Sequence, residues 1–354
     1  MNTSDFSFLH RKNKWGMTVL LIVLCAVFAP GFSLSAFIPR LLTALPLMIL
    51  LLLGYVGPVC TIACTAILIV YGGLFFGLAG VLGTLLFIVP VLIASPLCIR
   101  NKLGFWISSG ICAGVMLASE YAVMLLIASI ARTDAVTAVS RLFADTFNSN
   151  PMLSENLIAL MIQSGVVSVG NVQGEALSAA QKTRVLQVLL QSIDQLMRLE
   201  VPMQIATGAL SAGVLGQALL RRSMLKEGIA VEYPPLRTWM IPKGWGRVLT
   251  ITAAALYVLS LISKGTSAMF YVFSGVFEQA FAMQGIAAIS YAGHKNGKGK
   301  TWQGVIFILG YFILTIPAIV IGAADQAFDF THRRQEIEER EKRESYDPKA
   351  EGHQ

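Results

Sequence analysis

The sequence predicts an all-α protein, a polytopic transmembrane helix bundle of eight or nine spans that carries an extracytoplasmic amphipathic helical insertion. Three observations predict it. Between Leu41 and Ile99 there is no Asp, Glu, Lys, Arg or His, and at the helical rise such a run reaches ~90 Å against a hydrocarbon core of ~30 Å. The chain is 55% hydrophobic and only 13% charged, where a soluble domain carries roughly 25% charged residues. Finally, the basic residues behind the net charge of +7 gather in short clusters beside apolar segments, the pattern of topology signals rather than of a nucleic-acid-binding face. The bilayer is therefore the expected partner, and nucleic acid is not.

The first apolar stretch, Trp15 to Ala29, follows His10, Arg11, Lys12 and Lys14. It resembles a secretory signal, but apolar sequence resumes after Arg40, so the reading is a retained helix with its amino end in the cytoplasm. The predicted crossings are 15–32, 37–56, 59–75, 78–97, 104–130, 202–220, 248–263, 268–292 and 302–322. With the amino end inside, three basic clusters share the cytoplasmic face: Arg100 with Lys102, Arg221 to Arg247, and Lys295 to Lys300. Nine crossings put Arg333, Arg334 and the tail on the opposite face, against the positive-inside bias; eight crossings do not.

These segments divide the chain into a first transmembrane bundle over 1–130, an insertion over 131–200, a second bundle over 201–330 and a charged tail over 331–354. The insertion holds five basic and six acidic residues, so it exerts no inward pull. Ser178 followed by Gln181 reads as a capping box, and Val185, Leu186, Leu189, Leu190, Ile193 and Met197 trace one helical stripe. Asp134 is a second candidate cap, before Val136, Val139, Leu142 and Phe143, and Asn150 with Pro151 resembles a third helix start. Such helices either roof the bundle or close a lid over a cavity.

Within the apolar segments Gly72, Gly73, Gly77, Gly80 and Gly83 recur at three- and four-residue spacing, which lets backbones approach where lipid offers no hydrophobic drive for association. Helix packing is the expectation for Gly73, Gly77 and Gly80. Pro46, Pro58, Pro90, Pro96 and Pro317 each remove a backbone donor, and broken membrane helices tend to line cavities. Ionisable and amide side chains at depth are ligand or proton-carrying candidates: Glu120 with Tyr121, and Glu278, Gln279 and Gln284. Each also has a plain structural reading, as a hydrogen-bond partner or a group facing the interface.

Catalytic constellations are thin, so an enzyme is not expected. His10, His294, His332 and His353 all lie in loops or ends, leaving no histidine base for a buried nucleophile. Cys25, Cys60, Cys64, Cys98 and Cys112 lack the paired spacing of a zinc site and read as small apolar residues. No phosphate loop is present, and Asp325 with Asp329 is a weak cation pair, so neither cofactor nor metal is expected. The cytoplasmic loop containing Tyr233, Pro234, Trp239, Pro242 and Trp245 is a candidate docking surface for a cytoplasmic protein. The tail pairs Glu336 with Arg340, Glu338 with Lys342 and Glu339 with Arg343, a solvated helix or a frayed end.

Three carboxyl-terminal motifs, "PPLRTWMIP", "FEQAFAMQGIAAISYAGHK" and "GAADQAFDFTHRR", resemble those of the YybS-like family of uncharacterised bacterial multi-pass membrane proteins. The matching positions are Gln284 and Gly285, then Gly322, Asp325, Phe330 and Arg333. The resemblance implies a bacterial cytoplasmic membrane and a core distantly similar to the substrate-binding subunits of energy-coupling-factor transporters. Those subunits commonly place small residues four apart in the first helix, whereas Ala26 and Ala29 here stand three apart. Two readings of function follow. One is a subunit that binds or transports a small solute in a cavity among the early helices; the other is a non-transporting scaffold or accessory factor acting through its cytoplasmic loop.

Overall fold

The computed structural model describes residues 15–33, 49, 56, 58–150, 152, 155–156, 179–226, 228–263, 266–329 and 333. Among them every regular element is helical. They form two compact units, Met1–Leu103 with Ile107–Gln217, and Gly104–Trp106 with Ala218–Gln354. Five helices are long and apolar enough to cross a membrane, or six if one bent pair is a single span. Apart from Ile49 and Val56, the predicted crossing over 37–56 lies outside the described residues, as does the capping serine Ser178.

In the first unit α1 (Trp15–Ser33) packs against α2 (Pro58–Arg100). Cys25, Cys60, Cys64 and Leu68 are buried at the contact while Val19, Val23, Ile62 and Val70 stay exposed. Helices apolar on both faces need lipid on the outer one. The five cysteines are buried and free, as small apolar residues would be. The stretches 59–75 and 78–97 form the two limbs of α2, separated at Gly77, whose φ of 59° and ψ of −146° are not helical, and of the two only Gly77–Arg100 is long and apolar enough to cross a membrane. That conformation belongs almost wholly to glycine. The limbs close on one another: a Cβ on Gly72 would lie 2.8 Å from the Gly80 carbonyl oxygen, and one on Gly73 would lie 3.3 Å from Val81.

Gly77 corrects the packing expectation. A Cβ there would meet nothing within 4 Å, so its task is the turn, and close approach falls to Gly72, Gly73 and Gly80. Next come α3 (Phe105–Ala131) and α4 (Ala135–Ser149). Asp134 caps α4 by accepting hydrogen bonds from the backbone N–H and the hydroxyl of Thr137, and Arg198 reaches both residues.

The amphipathic stripe over 185–197 and the crossing over 202–220 prove to be one continuous helix, α5 (Ala179–Lys226), with Pro202 inside it. Proline forfeits one ladder bond, but Val201, Met203 and Ile205 around it are buried, and a packed stretch absorbs that loss. Along α5, Gly213 lies so close to α3 that an added Cβ would stand 2.6 Å from the Ser109 carbonyl oxygen.

The second unit contains α6 (Lys243–Ile262), α7 (Ser267–Lys295), α8 (Lys300–Ile308) and α9 (Thr315–Phe328). A π-helical turn, Leu309–Ile313, joins the last two. The straight crossing expected over 302–322 is instead a pair bent by 107°. The Leu314 N–H donates to Leu309 at 2.7 Å, and the Thr315 hydroxyl takes the Tyr311 carbonyl at 2.9 Å. Pro317 has no N–H to offer the turn before it, so the ladder breaks there. α9 crosses α7 through Gly285 and Gly322, and a Cβ on Gly285 would land on the Ala318 carbonyl oxygen while one on Gly322 would land on that of Phe281.

Candidate functional site

Two polar features stand out, one in each unit. In the first, a cavity of about 250 Å³ opens between the limbs of α2 and the carboxyl-terminal half of α3. Glycine makes the space: Gly72, Gly80 and Gly83 line it from α2, and a Cβ at Gly83 would stand 3.7 Å from Val123. Leu126, Ile127 and Ile130 line it from α3. Among the described residues of the wall, Glu120, 7% exposed, is the one ionisable side chain and Thr84 the one hydroxyl, which donates to the Gly80 carbonyl at 2.7 Å. A carboxyl group in so apolar a wall is costly unless it is partnered. Tyr121, by contrast, is 41% exposed and does not line the cavity.

The second feature is a buried polar lock. Arg333 Nη2 donates to Asp325 Oδ2 at 2.8 Å, with both side chains fully buried. Gln284 Nε2 donates to the same carboxylate oxygen at 3.3 Å, and Gln284 Oε1 accepts from the Ile241 N–H at 3.0 Å. Arg333 Nη1 reaches the Arg237 carbonyl at 3.4 Å. The motif positions Gln284, Gly285, Gly322, Asp325 and Arg333 therefore meet around one crossing of α7 and α9, where the glycines bring the backbones close enough for the polar groups to pair. Phe330 lies outside the described residues. Gln279 donates to the Tyr311 hydroxyl at 3.0 Å, so its amide serves the bent pair. Glu278 is partly buried on α7. Asp325 is committed to Arg333, which removes it from any cation pair with Asp329.

The proline-aromatic loop departs from the expected docking surface. Trp239 is 3% exposed, donates to the Pro234 carbonyl at 2.9 Å and packs on Phe105 and Trp106. Glu232 accepts from the Phe105 N–H at 3.1 Å, and Arg221 holds the Glu232 carbonyl at 2.9 Å, so the loop is anchored from both sides. Tyr233 and Pro234 are half-buried, leaving Pro242 and Trp245 as its exposed members.

The glycine spacing predicts close helix packing rather than a cavity, and the cavity's apolar wall carries no signal separable from a lipid-facing helix. The backbone partners of the lock, Ile241 and Arg237, were equally silent, because a main-chain group leaves no mark in sequence. No curated protein and no solved structure matches this chain. A family model described as a predicted membrane protein covers residues 15–326. Several apolar helices of spanning length and a match over most of its residues place the chain in that predicted membrane protein family, DUF2232, to which it belongs.

Proposed function

We propose that this protein binds, and in its membrane context moves, a small solute through the cavity beside Glu120. The observation that carries the reading is the half-open space of about 250 Å³ with one buried carboxyl group among the described residues of an otherwise apolar wall. A groove of this shape, apolar with one polar group, is the kind of concave surface on which small molecules seat. The anchored Trp239 also weakens the scaffold reading, which requires an outward-facing aromatic loop. A binding role rather than catalysis fits a site with one ionisable group and no neighbouring base on its wall.

The proposed setting is a bacterial inner membrane with the amino end in the cytoplasm, eight or nine crossings and the segment after Ala131 outside. In that orientation the cavity, lined by Ile130 and Ala131 at the end of α3, opens near the outer face. The YybS-like motifs and the distant similarity to energy-coupling-factor binding subunits support a solute-handling role. Native mass spectrometry on gently solubilised protein is the test. A co-purified small molecule that disappears when Gly83→Val fills the cavity supports the reading; a co-purified protein, with no small molecule in either form, overturns it.

A further inference from the structure

Resting on that reading, we infer that the half-open groove takes a single-chain amphiphile tail first, with the linear acyl chain of a fatty-acid-like molecule lying between the second limb of α2 and α3. Its shape is the first ground. The lining recurs every three or four residues, with Gly80, Gly83 and Phe87 from α2 and Val123, Ile127 and Ile130 from α3, so the groove runs along the helices rather than across them. From Glu120 to Ile130 it is about 15 Å long at the helical rise. Spread over that length, 250 Å³ is a narrow slot that suits one extended chain. Phe87 is 5% exposed and Ile130 55%. The floor therefore lies at Phe87 and Glu120, and the mouth at the end of α3.

Bonding capacity is the second ground. Thr84 has given its proton to the Gly80 carbonyl, and Glu120 already has a partner within the protein, so the described wall leaves little for a polar ligand to bond. A sugar or an amino acid lodged there would give up hydrogen bonds to water without replacing them. A hydrocarbon tail meets a wall of its own kind in Leu126 and Ile127. Access is the third ground. Leu78, Leu82 and Leu125 on the same two helices are exposed, and helix faces of that kind border lipid. A molecule dissolved in the leaflet can thus enter without passing through water. A phospholipid brings two chains to a slot for one, whereas a single-chain molecule fits whole, its head at the mouth where α3 ends at Ala131 and the exposed Arg132 follows.

Dodecanoate carrying a photoreactive diazirine at its chain end tests this on full-length protein in phosphatidylcholine nanodiscs, with the labelled residues read by peptide mass spectrometry. Labelling is expected at Phe87 and around Glu120; it should saturate, and plain dodecanoate but not butanoate should displace it. Moving the diazirine next to the carboxylate should move the label to Ile130 and Ala131. Gly83→Val should lower the saturable labelling about tenfold by crowding the slot, and Gly110→Ala should leave it unchanged. Label that follows the exposed Leu82 and Leu125 without saturating, or that a phospholipid bearing the same photoreactive chain reproduces at the floor, overturns the single-chain ligand. The cavity reading survives that result if native mass spectrometry still finds a small molecule that Gly83→Val removes, and falls with it if no such molecule is found. Should Gly83→Val not fold, displacement by dodecanoate against butanoate on the unaltered protein decides the question alone.

Discussion

Asp325 accepts a 2.8 Å hydrogen bond from Arg333, and neither side chain is exposed at all. Through Gln284 and the Ile241 N–H the same carboxylate is tied to the loop before α6, so one buried ion pair joins three parts of the second unit. Ions removed from water repay their desolvation only when their remaining donors and acceptors are also met. The amide of Gln284 and the carbonyl of Arg237 meet part of that need.

Removing one member of the pair should therefore be worse than removing both. Asp325→Asn leaves a buried guanidinium without its counter-charge and is expected to cost about 3–5 kcal/mol. The double replacement Asp325→Leu with Arg333→Met should recover much of the loss. Thermal unfolding of the detergent-solubilised variants checks the order, and a single variant as stable as the parent would refute it.

Gly285 and Gly322 make the crossing on which that pair depends. A methyl group at either meets backbone carbonyl oxygen rather than a movable side chain, so the helices must separate. Gly285→Ala is expected to destabilise by about 1–3 kcal/mol or more. Gly110→Ala, where an added Cβ meets nothing within 4 Å, should be neutral or slightly stabilising, since alanine is the better helix former. Equal melting temperatures for the two variants would remove the close-crossing argument.

Apolar runs longer than the bilayer is thick announced most of the helices, because hydropathy reports the solvent a helix requires. Its breaks were harder to read. Pro202 leaves α5 continuous while Pro317 accompanies a bend of 107°, and nothing local to either proline distinguishes them. Gln284, Asp325 and Arg333 were each singled out by motif, yet their pairing joins positions 41 and 8 residues apart, a tertiary fact. Trp239 was read as a docking side chain because a proline-rich aromatic loop looks the same whether it faces outward or folds back onto Phe105.

The turn between the limbs of α2 makes a separate demand. At Gly77 the backbone, with φ 59° and ψ −146°, lies in territory that side chains bearing a Cβ seldom enter. Space is not the obstacle, as nothing lies within 4 Å of an added Cβ. Gly77→Ala should therefore cost about 1–3 kcal/mol through backbone strain alone. Hydrogen exchange faster in peptides spanning Leu74 to Val81 than in those of α3 would locate the damage, and unchanged exchange would deny it.

Asp134 gives the insertion a pH response. Hydrogen bonds from the Thr137 hydroxyl and then its backbone N–H, with a smaller contribution from Arg198, hold its carboxyl below the ordinary carboxylate range. A lowered folded-state pKa means that the stabilisation is complete above the unfolded value, about 3.9, and is lost as pH falls through the lower folded value. The first turn of α4 should thus be insensitive to pH near neutrality and fray below about pH 4. Asp134→Ala should fray it at all pH values by about 1 kcal/mol. Exchange of the Thr137 amide, followed by mass spectrometry in both proteins, distinguishes the two behaviours.

The lock also bears on which side of the membrane the tail occupies. Counting nine crossings puts Arg333 opposite the loop that holds Arg237, yet Arg333 Nη1 reaches the Arg237 carbonyl at 3.4 Å. Gln326 approaches the Pro242 carbonyl at 3.5 Å, and a Cβ on Gly246 would strike the Gln326 side chain, so the end of α9 stays with the start of α6. A bend of 107° between α8 and α9 permits this, because the pair can enter and leave on one face. Such an arrangement would put Arg333 on the same face as the loop that holds Arg237, in accord with the positive-inside bias. Single cysteines introduced into a cysteine-free background at Gly228 and Asp329 should then behave alike toward a membrane-impermeant maleimide in intact cells, and both should react once the membrane is opened. Labelling of one and protection of the other would place the two ends on opposite faces, and the bent pair would have to be a true crossing.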